Sequence, residues 1–73
     1  MIDLHIKVAK EFIEEQLDLT SEPFTLNKIA LFAIPEGVCY EEMEAAVNQM
    51  ASDNKITILE KRDLIWDYLI QKV

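Results

Sequence analysis

The chain has few of the residue types on which several protein classes depend. Its single cysteine, Cys39, and single histidine, His5, exclude a disulfide framework or a zinc shell built within one copy. The single glycine excludes phosphate-binding loops and dinucleotide-binding turns, which need several. No apolar run approaches the roughly 20 residues of a membrane span, and charged residues interrupt the N-terminus where a signal peptide would be apolar. We therefore expect an intracellular protein with no cofactor, no bound metal and no membrane association.

The apolar content is sufficient for one small core. With 73 residues, of which 51% are hydrophobic, the chain is expected to form a single domain over residues 1–73. No local motif brings Ser, His and acidic residues together, and a domain of this size rarely encloses a reaction site. Adjacent glutamates such as Glu41 and Glu42 would point about 100° apart on a helix. We therefore expect a non-catalytic protein in which such pairs are solvated surface.

Acidic residues are concentrated in the middle of the chain. The formal net charge is −7, and residues 36–54 contain five acidic groups and no Lys or Arg. The only local cluster of bases follows this segment and consists of Lys55, Lys61 and Arg62. Because phosphates repel carboxylates, the middle segment is expected to favour a partner with a basic surface over nucleic acid.

Periodicity predicts two helices in the first half of the chain. Apolar residues at three- and four-residue spacing indicate a long first helix, which Asp3 could cap and which the segment 19–23 ends. Residues 24–26 are expected to make one short extended pairing before a brief second helix. That helix must end near Ile34, because Pro35 disfavours a helical residue before it.

A third helix is predicted from about Tyr40 to Asp53. Its apolar stripe consists of Met43, Ala46, Val47, Met50 and Ala51. Cys39 occupies the cap position with Glu42 three residues on, and Asn54 suits the left-handed residue that closes a helix. Cys39 is expected to be a half-buried structural thiol.

The last 18 residues change to a β-type pattern. Residues 56–59 are rich in β-branched side chains, residues 60–63 are polar enough to turn, and residues 64–71 alternate. This pattern favours a β-hairpin whose last strand carries Trp66 and Tyr68 on one face.

The fold class depends on that hairpin, and one alternative stays open. Asp63 could instead cap a C-terminal helix, because apolar residues after it also recur at four-residue spacing. With the hairpin, the order of elements is helix, short helix, turn, helix, hairpin. That order predicts an α+β fold of the winged helix-turn-helix type, with three helices and a C-terminal β-hairpin wing.

The outer face of the third helix is the candidate binding surface. Asn48 could contact an adenine edge, but Glu41 and Glu44 on the same face remove the attraction for phosphate. The bases at the wing are too few to compensate in so acidic a chain. An aromatic residue in the wing could anchor a protein partner. We predict partner-binding roles for Glu41, Glu44, Asn48, Lys61, Arg62 and Trp66, and weak or no direct DNA binding.

Residues 41–70 resemble the C-terminal winged-helix domain of the minichromosome-maintenance helicase subunits, most closely that of the third eukaryotic subunit. The similarity covers the helix with Glu42, Ala46 and Met50 in register, its exit at residues 53–56, and the hairpin ending at residues 64–70. Upstream, Lys7 to Ala9, Phe12 and Asn27 to Ile29 fit the same order more loosely.

The resemblance implies a tail module that docks proteins. In that family the domain helps to bring the hexameric helicase to the origin-bound loader complex and its ATPase, which would make this protein nuclear; otherwise we expect it to be cytoplasmic. Two alternatives remain: a small winged-helix DNA-binding transcriptional regulator, and a phage-type acidic inhibitor that imitates nucleic acid.

Overall fold

A computed structural model describes residues 2–73 of the chain. Over these residues the protein has an α+β fold of three α-helices and one three-stranded antiparallel sheet. The helices are α1 (Asp3–Leu19), α2 (Asn27–Ala33) and α3 (Tyr40–Ser52). The strands are β1 (Phe24–Thr25), β2 (Ile56–Glu60) and β3 (Leu69–Lys72), and 3₁₀ turns cover Ile34–Glu36 and Ile65–Asp67. Within residues 2–73 no helix is both long enough and apolar enough to cross a membrane.

The long helix α1 forms one wall of the core. It buries Ile6, Ala9, Ile13 and Leu17. This spacing places the four side chains on one stripe of the helix, as the periodicity predicted. The prediction that Asp3 caps the helix is wrong. The cap position belongs to Ile2, and Asp3 is the first helical residue, where its charge faces the positive end of the helix dipole.

The short helix α2 ends near Ile34, as predicted. It stops at Ala33, and the chain continues into the 3₁₀ turn that contains Pro35. Gly37 follows with φ of +92°, which a residue with a side chain adopts only with strain. A Cβ on Gly37 would also lie 3.1 Å from Cε1 and Nε2 of His5. The turn therefore requires glycine for its backbone and for its close approach to α1.

Helix α3 confirms the predicted bounds and most of the predicted stripe. It buries Met43, Ala46, Val47 and Met50, while Ala51 is half-buried. Asn54 has φ of +59°, the left-handed conformation expected after the helix. The prediction for Cys39 is wrong, because its thiol is exposed. Cys39 precedes the first helical residue, so it lies outside the repeating pattern that turns side chains inward.

The C-terminal residues form a hairpin, and the alternative of a C-terminal helix is wrong. Strand β3 lies in the middle of the sheet, in the order β1-β3-β2, and pairs antiparallel with both neighbours. Ile70 faces Phe24 on one side and Ile58 on the other. The buried side chain of Ile70 thereby joins the sheet to the core.

One part of the hairpin prediction is wrong. The last strand begins at Leu69 rather than near Leu64, because the chain first makes the 3₁₀ turn that carries Ile65 fully into the core. Trp66 and Tyr68 therefore do not share a face of the last strand. Both are half-buried and pack against the core from the loop.

Candidate docking surface

The outer face of α3 carries acidic and amide side chains. Glu41 and Asn48 are exposed and Glu44 is half-buried, because Met43 and Val47 hold the opposite side of the helix in the core. Positions 41, 44 and 48 are three and four residues apart, so they form one stripe. The structure thus brings the three predicted α3 residues onto a single solvent-facing surface with two carboxylates and no base.

The bases near the β2–β3 hairpin are partly neutralised by neighbouring acids. Lys55 Nζ lies 3.4 Å from Glu14 Oε1 on α1. Arg62 forms an ion pair with Glu60 and also donates to the carbonyl oxygen of Asp67 at 3.0 Å. Exposed pairs of this kind add little stability, but each one offsets the positive potential that a phosphate would meet. Arg62 therefore holds the loop between β2 and β3 together, a role the sequence did not indicate.

The loop between β2 and β3 is fastened to two helices. Tyr40 Oη at the start of α3 donates to the carbonyl oxygen of Asp63 at 3.3 Å. Asn27 Nδ2 at the start of α2 donates to Asp67 Oδ1 at 3.2 Å. These contacts bring the loop that carries Lys61, Arg62 and Trp66 against the N-terminal end of α3. Of these three, Lys61 and Arg62 are exposed, and Trp66 offers a partner only part of its surface.

A buried carboxylate links the beginnings of α1 and α3. Glu42 as a residue is 2% exposed, and its carboxylate accepts hydrogen bonds from the N–H of Ile2 at 2.6 Å and from the N–H of Cys39 at 2.9 Å. His5 Nδ1 lies 3.1 Å from both carboxylate oxygens. The prediction that Glu42 belongs to a solvated acidic pair is therefore wrong. Only its bond to Cys39 was foreseeable, because a capping box is local in sequence.

The electrostatics of Glu42 follow from these donors. The hydrogen bond from the Cys39 N–H, opposed by burial and assisted by the Ile2 N–H, lowers the pKa of Glu42 to about 2. An ionised carboxylate can only accept hydrogen bonds, so His5 must carry a proton on Nδ1 to bond it. Because both carboxylate oxygens accept hydrogen bonds, Glu42 orients the two helices. Glu41 and Glu44 are the carboxylates that remain on the outer face of α3.

Sequence patterns also missed an apolar groove between α1 and α2. The rings of Phe12 and Phe32 lie with centroids 6.3 Å apart, and Leu19 is 80% exposed at the end of α1. Together with Ile29 they line an open groove of about 210 Å³. The sequence does contain a second apolar stripe on α1, which includes Phe12 and Leu19. A stripe next to a core face is ordinarily assigned to the core, so it did not indicate a groove.

No family model, curated protein or solved structure matches this chain. The resemblance to the helicase tail domain consequently stays a prediction drawn from the residues of α3 and the hairpin. Any function must be inferred from the geometry of the described residues.

Proposed function

We propose that this protein is a non-catalytic winged-helix module that docks on another protein. The winged-helix assignment is supported by the order of elements, in which α1, β1, α2 and α3 precede a hairpin. It is supported also by the sheet order β1-β3-β2, since β1 extends the hairpin as a third strand. In this arrangement α3 and the loop after β2 are the elements a partner would meet.

The carboxylates on the outer face of α3 carry the proposal. Glu41 and Glu44 stand where a DNA-reading helix would present donors or bases, and no Lys or Arg lies between residues 36 and 54. Duplex binding gains most of its nonspecific affinity from lysines and arginines near phosphates. The same surface is suited to a basic patch on a protein, which would attract the two glutamates and speed the encounter.

The lasting contact would come from groups beside the carboxylates. Asn48 can pair with a backbone or side-chain amide, and the exposed part of Trp66 offers aromatic area at the edge of the surface. Exposed Lys61 supplies a base for an acidic residue of the partner. The helicase resemblance gives this proposal one specific form, in which the partner is the loader complex or its ATPase.

Exchange of the two glutamates tests the proposal. The wild-type protein, a Glu41→Lys/Glu44→Lys variant and a Glu22→Lys/Glu36→Lys variant are immobilised at equal density and exposed to native lysate of the source organism. Bound proteins are quantified by mass spectrometry. At an immobilised density well below the dissociation constant, the first variant is expected to retain about a tenth of the partner that the wild type retains, as tenfold weaker binding implies.

The second variant is the control for net charge. It changes two exposed glutamates outside α3 and alters the charge of the protein by the same amount. It should retain the partner at the wild-type level, with both variants folded by circular dichroism. Equal retention by the wild type and the α3 variant would refute docking through this face, and equal loss in both variants would reduce the effect to nonspecific charge.

A further inference from the structure

The groove between α1 and α2 is exposed on a side of α1 different from its core face. Taking Phe12 as reference, Val8, Gln16 and Leu19 lie within about 40° of it around the helix, and the core residue Ile13 lies about 100° away. On the other wall, Phe32 is 61% exposed. Contiguous exposed apolar side chains of this size on a small protein mark an interaction site.

One edge of the groove is acidic. Continuing around α1 beyond the apolar stripe, the exposed acidic side chains are Glu11, Glu15 and Asp18, with Leu4 among them and the base Lys7 following, and Glu15 itself lines the groove. The only charged residue of α2 is Lys28. The margin of the groove therefore carries more negative than positive charge, and this asymmetry constrains what can occupy it.

We propose that the groove binds an amphipathic helical segment of another protein, with apolar side chains inserted between Phe12 and Phe32 and lysines or arginines along the α1 edge. Helices bind grooves of this form through residues at three- and four-residue spacing. Bases on the segment would face Glu11 and Glu15. The surface is separate from the outer face of α3, so the proposal does not depend on the proposed function.

Two other occupants fit less well. A second copy of the chain would bring the same acidic edge onto itself in a two-fold contact, and each copy has a net charge of −7. A small-molecule ligand would have little enclosure, because the open volume of about 210 Å³ is below the roughly 300–1,000 Å³ of such sites.

Two synthetic helical peptides provide the probe. Both carry the same leucine stripe, one flanked by lysines and the other by glutamates, and each is labelled for fluorescence anisotropy. The Lys-flanked peptide is expected to bind the wild-type protein at least about tenfold more tightly than the Glu-flanked peptide. Phe32→Ser should weaken its binding about tenfold or more, because an aromatic anchor in the centre of a site contributes most of the affinity.

Three further variants separate binding in the groove from nonspecific apolar binding and from the effect of net charge. Leu59→Ser removes an exposed apolar side chain from β2 and should leave binding unchanged. Glu11→Lys/Glu15→Lys should reverse the preference, so that the Glu-flanked peptide binds more tightly. Glu36→Lys/Asp53→Lys makes the same change in net charge away from the groove and should not reverse it.

Three results would overturn the proposal. Equal affinity for the two peptides would show that the acidic edge does not select the ligand. Binding that Phe32→Ser does not weaken would show that the peptide binds outside the groove. The third is a concentration-dependent dimer in sedimentation equilibrium that Phe32→Ser abolishes, which would assign the groove to a second copy. A folded wild-type protein that binds the Lys-flanked peptide as a monomer supports it.

Discussion

At the scale of the single residue, Glu42 joins parts of the chain that are distant in sequence. Its carboxylate accepts hydrogen bonds from the N–H groups of Ile2 and Cys39 and contacts His5, so one side chain connects the start of α1 to the start of α3. A negative charge near two helix N-termini is favourable, because each terminus has unpaired N–H donors and a positive dipole end. A glutamine at position 42 would have nearly the same shape, but its NH₂ group is a donor and would face the N–H donor of Ile2 or of Cys39.

The first prediction concerns the pH dependence of stability in Glu42→Gln. In the folded protein the pKa of Glu42 is about 2, below the roughly 4.3 of an unfolded glutamate. A lowered pKa stabilises the fold above the unfolded value, and this contribution is lost as pH falls through the folded value. Wild type should therefore be more stable than Glu42→Gln near neutral pH, and the difference should shrink between about pH 4.3 and pH 2.

Urea unfolding at a series of pH values measures this difference. Glu41→Gln is the matched control, because Glu41 is the exposed neighbour of Glu42 on the same helix. Its stability should follow the wild-type profile closely. A Glu42→Gln deficit that stays constant down to about pH 2 would show that the ionised carboxylate is not responsible.

At the scale of the element, the 3₁₀ turn Ile65–Asp67 sets where the last strand begins. Ile65 has no exposed surface, whereas its neighbour Leu64 is 53% exposed. The turn also gives the N–H of Tyr68 a partner in the carbonyl oxygen of Ile65, 3.1 Å away. Burial of Ile65 thus stabilises the turn, and the turn delivers the chain to Leu69 in register with Thr25.

Truncation of Ile65 is predicted to destabilise the fold far more than truncation of Leu64. Ile65→Ala should cost about 2–5 kcal/mol, as removal of a fully buried aliphatic side chain does. Leu64→Ala should change the free energy of unfolding by less than about 0.5 kcal/mol. Urea denaturation midpoints measure both free-energy changes.

Ile65→Val keeps the comparison possible if the alanine variant does not fold, and it is expected to cost about 0.5–1.5 kcal/mol. Similar effects of Ile65→Ala and Leu64→Ala would contradict the structure of the turn.

The elements differ in how far the sequence determines them. Helix α3 could be predicted from the stripe of Met43 and its neighbours, and from Asn54, because these signals are local. The 3₁₀ turn could not, since alternation across residues 64–71 is typical of a strand and only the position of the core shows that Ile65 turns inward. The contact of Glu42 with Ile2 and the groove at Phe32 were missed for the same reason, because each depends on pairs of segments brought together by folding.

At the scale of the whole molecule, local charge decides which partner each face attracts. The molecule measures 27 × 25 × 23 Å, and the Debye length near physiological salt is about 8–10 Å. Charges on opposite faces are therefore largely screened from one another. We expect the net charge of −7 to disfavour nonspecific binding to nucleic acid, and we expect the two carboxylates on α3 to govern what approaches that face.

The last prediction follows from this screening. Titrated into labelled duplex DNA at low salt, the wild-type protein should show no micromolar binding, because its α3 surface carries two carboxylates and no base. Glu41→Lys/Glu44→Lys should acquire duplex binding, since it places two bases on the exposed face of α3, where they can contact phosphates. Each new phosphate contact should contribute about −0.9 to the slope of log K against log salt concentration, so two contacts predict a slope of about −1.8. Glu22→Lys/Glu36→Lys has the same net charge as the α3 variant but no change on α3, so it should bind duplex more weakly than the α3 variant.

Tight, salt-dependent binding by the wild type would instead favour a DNA-binding regulator. Equal gains in the two variants would show that total charge, and not the surface of α3, governs the encounter.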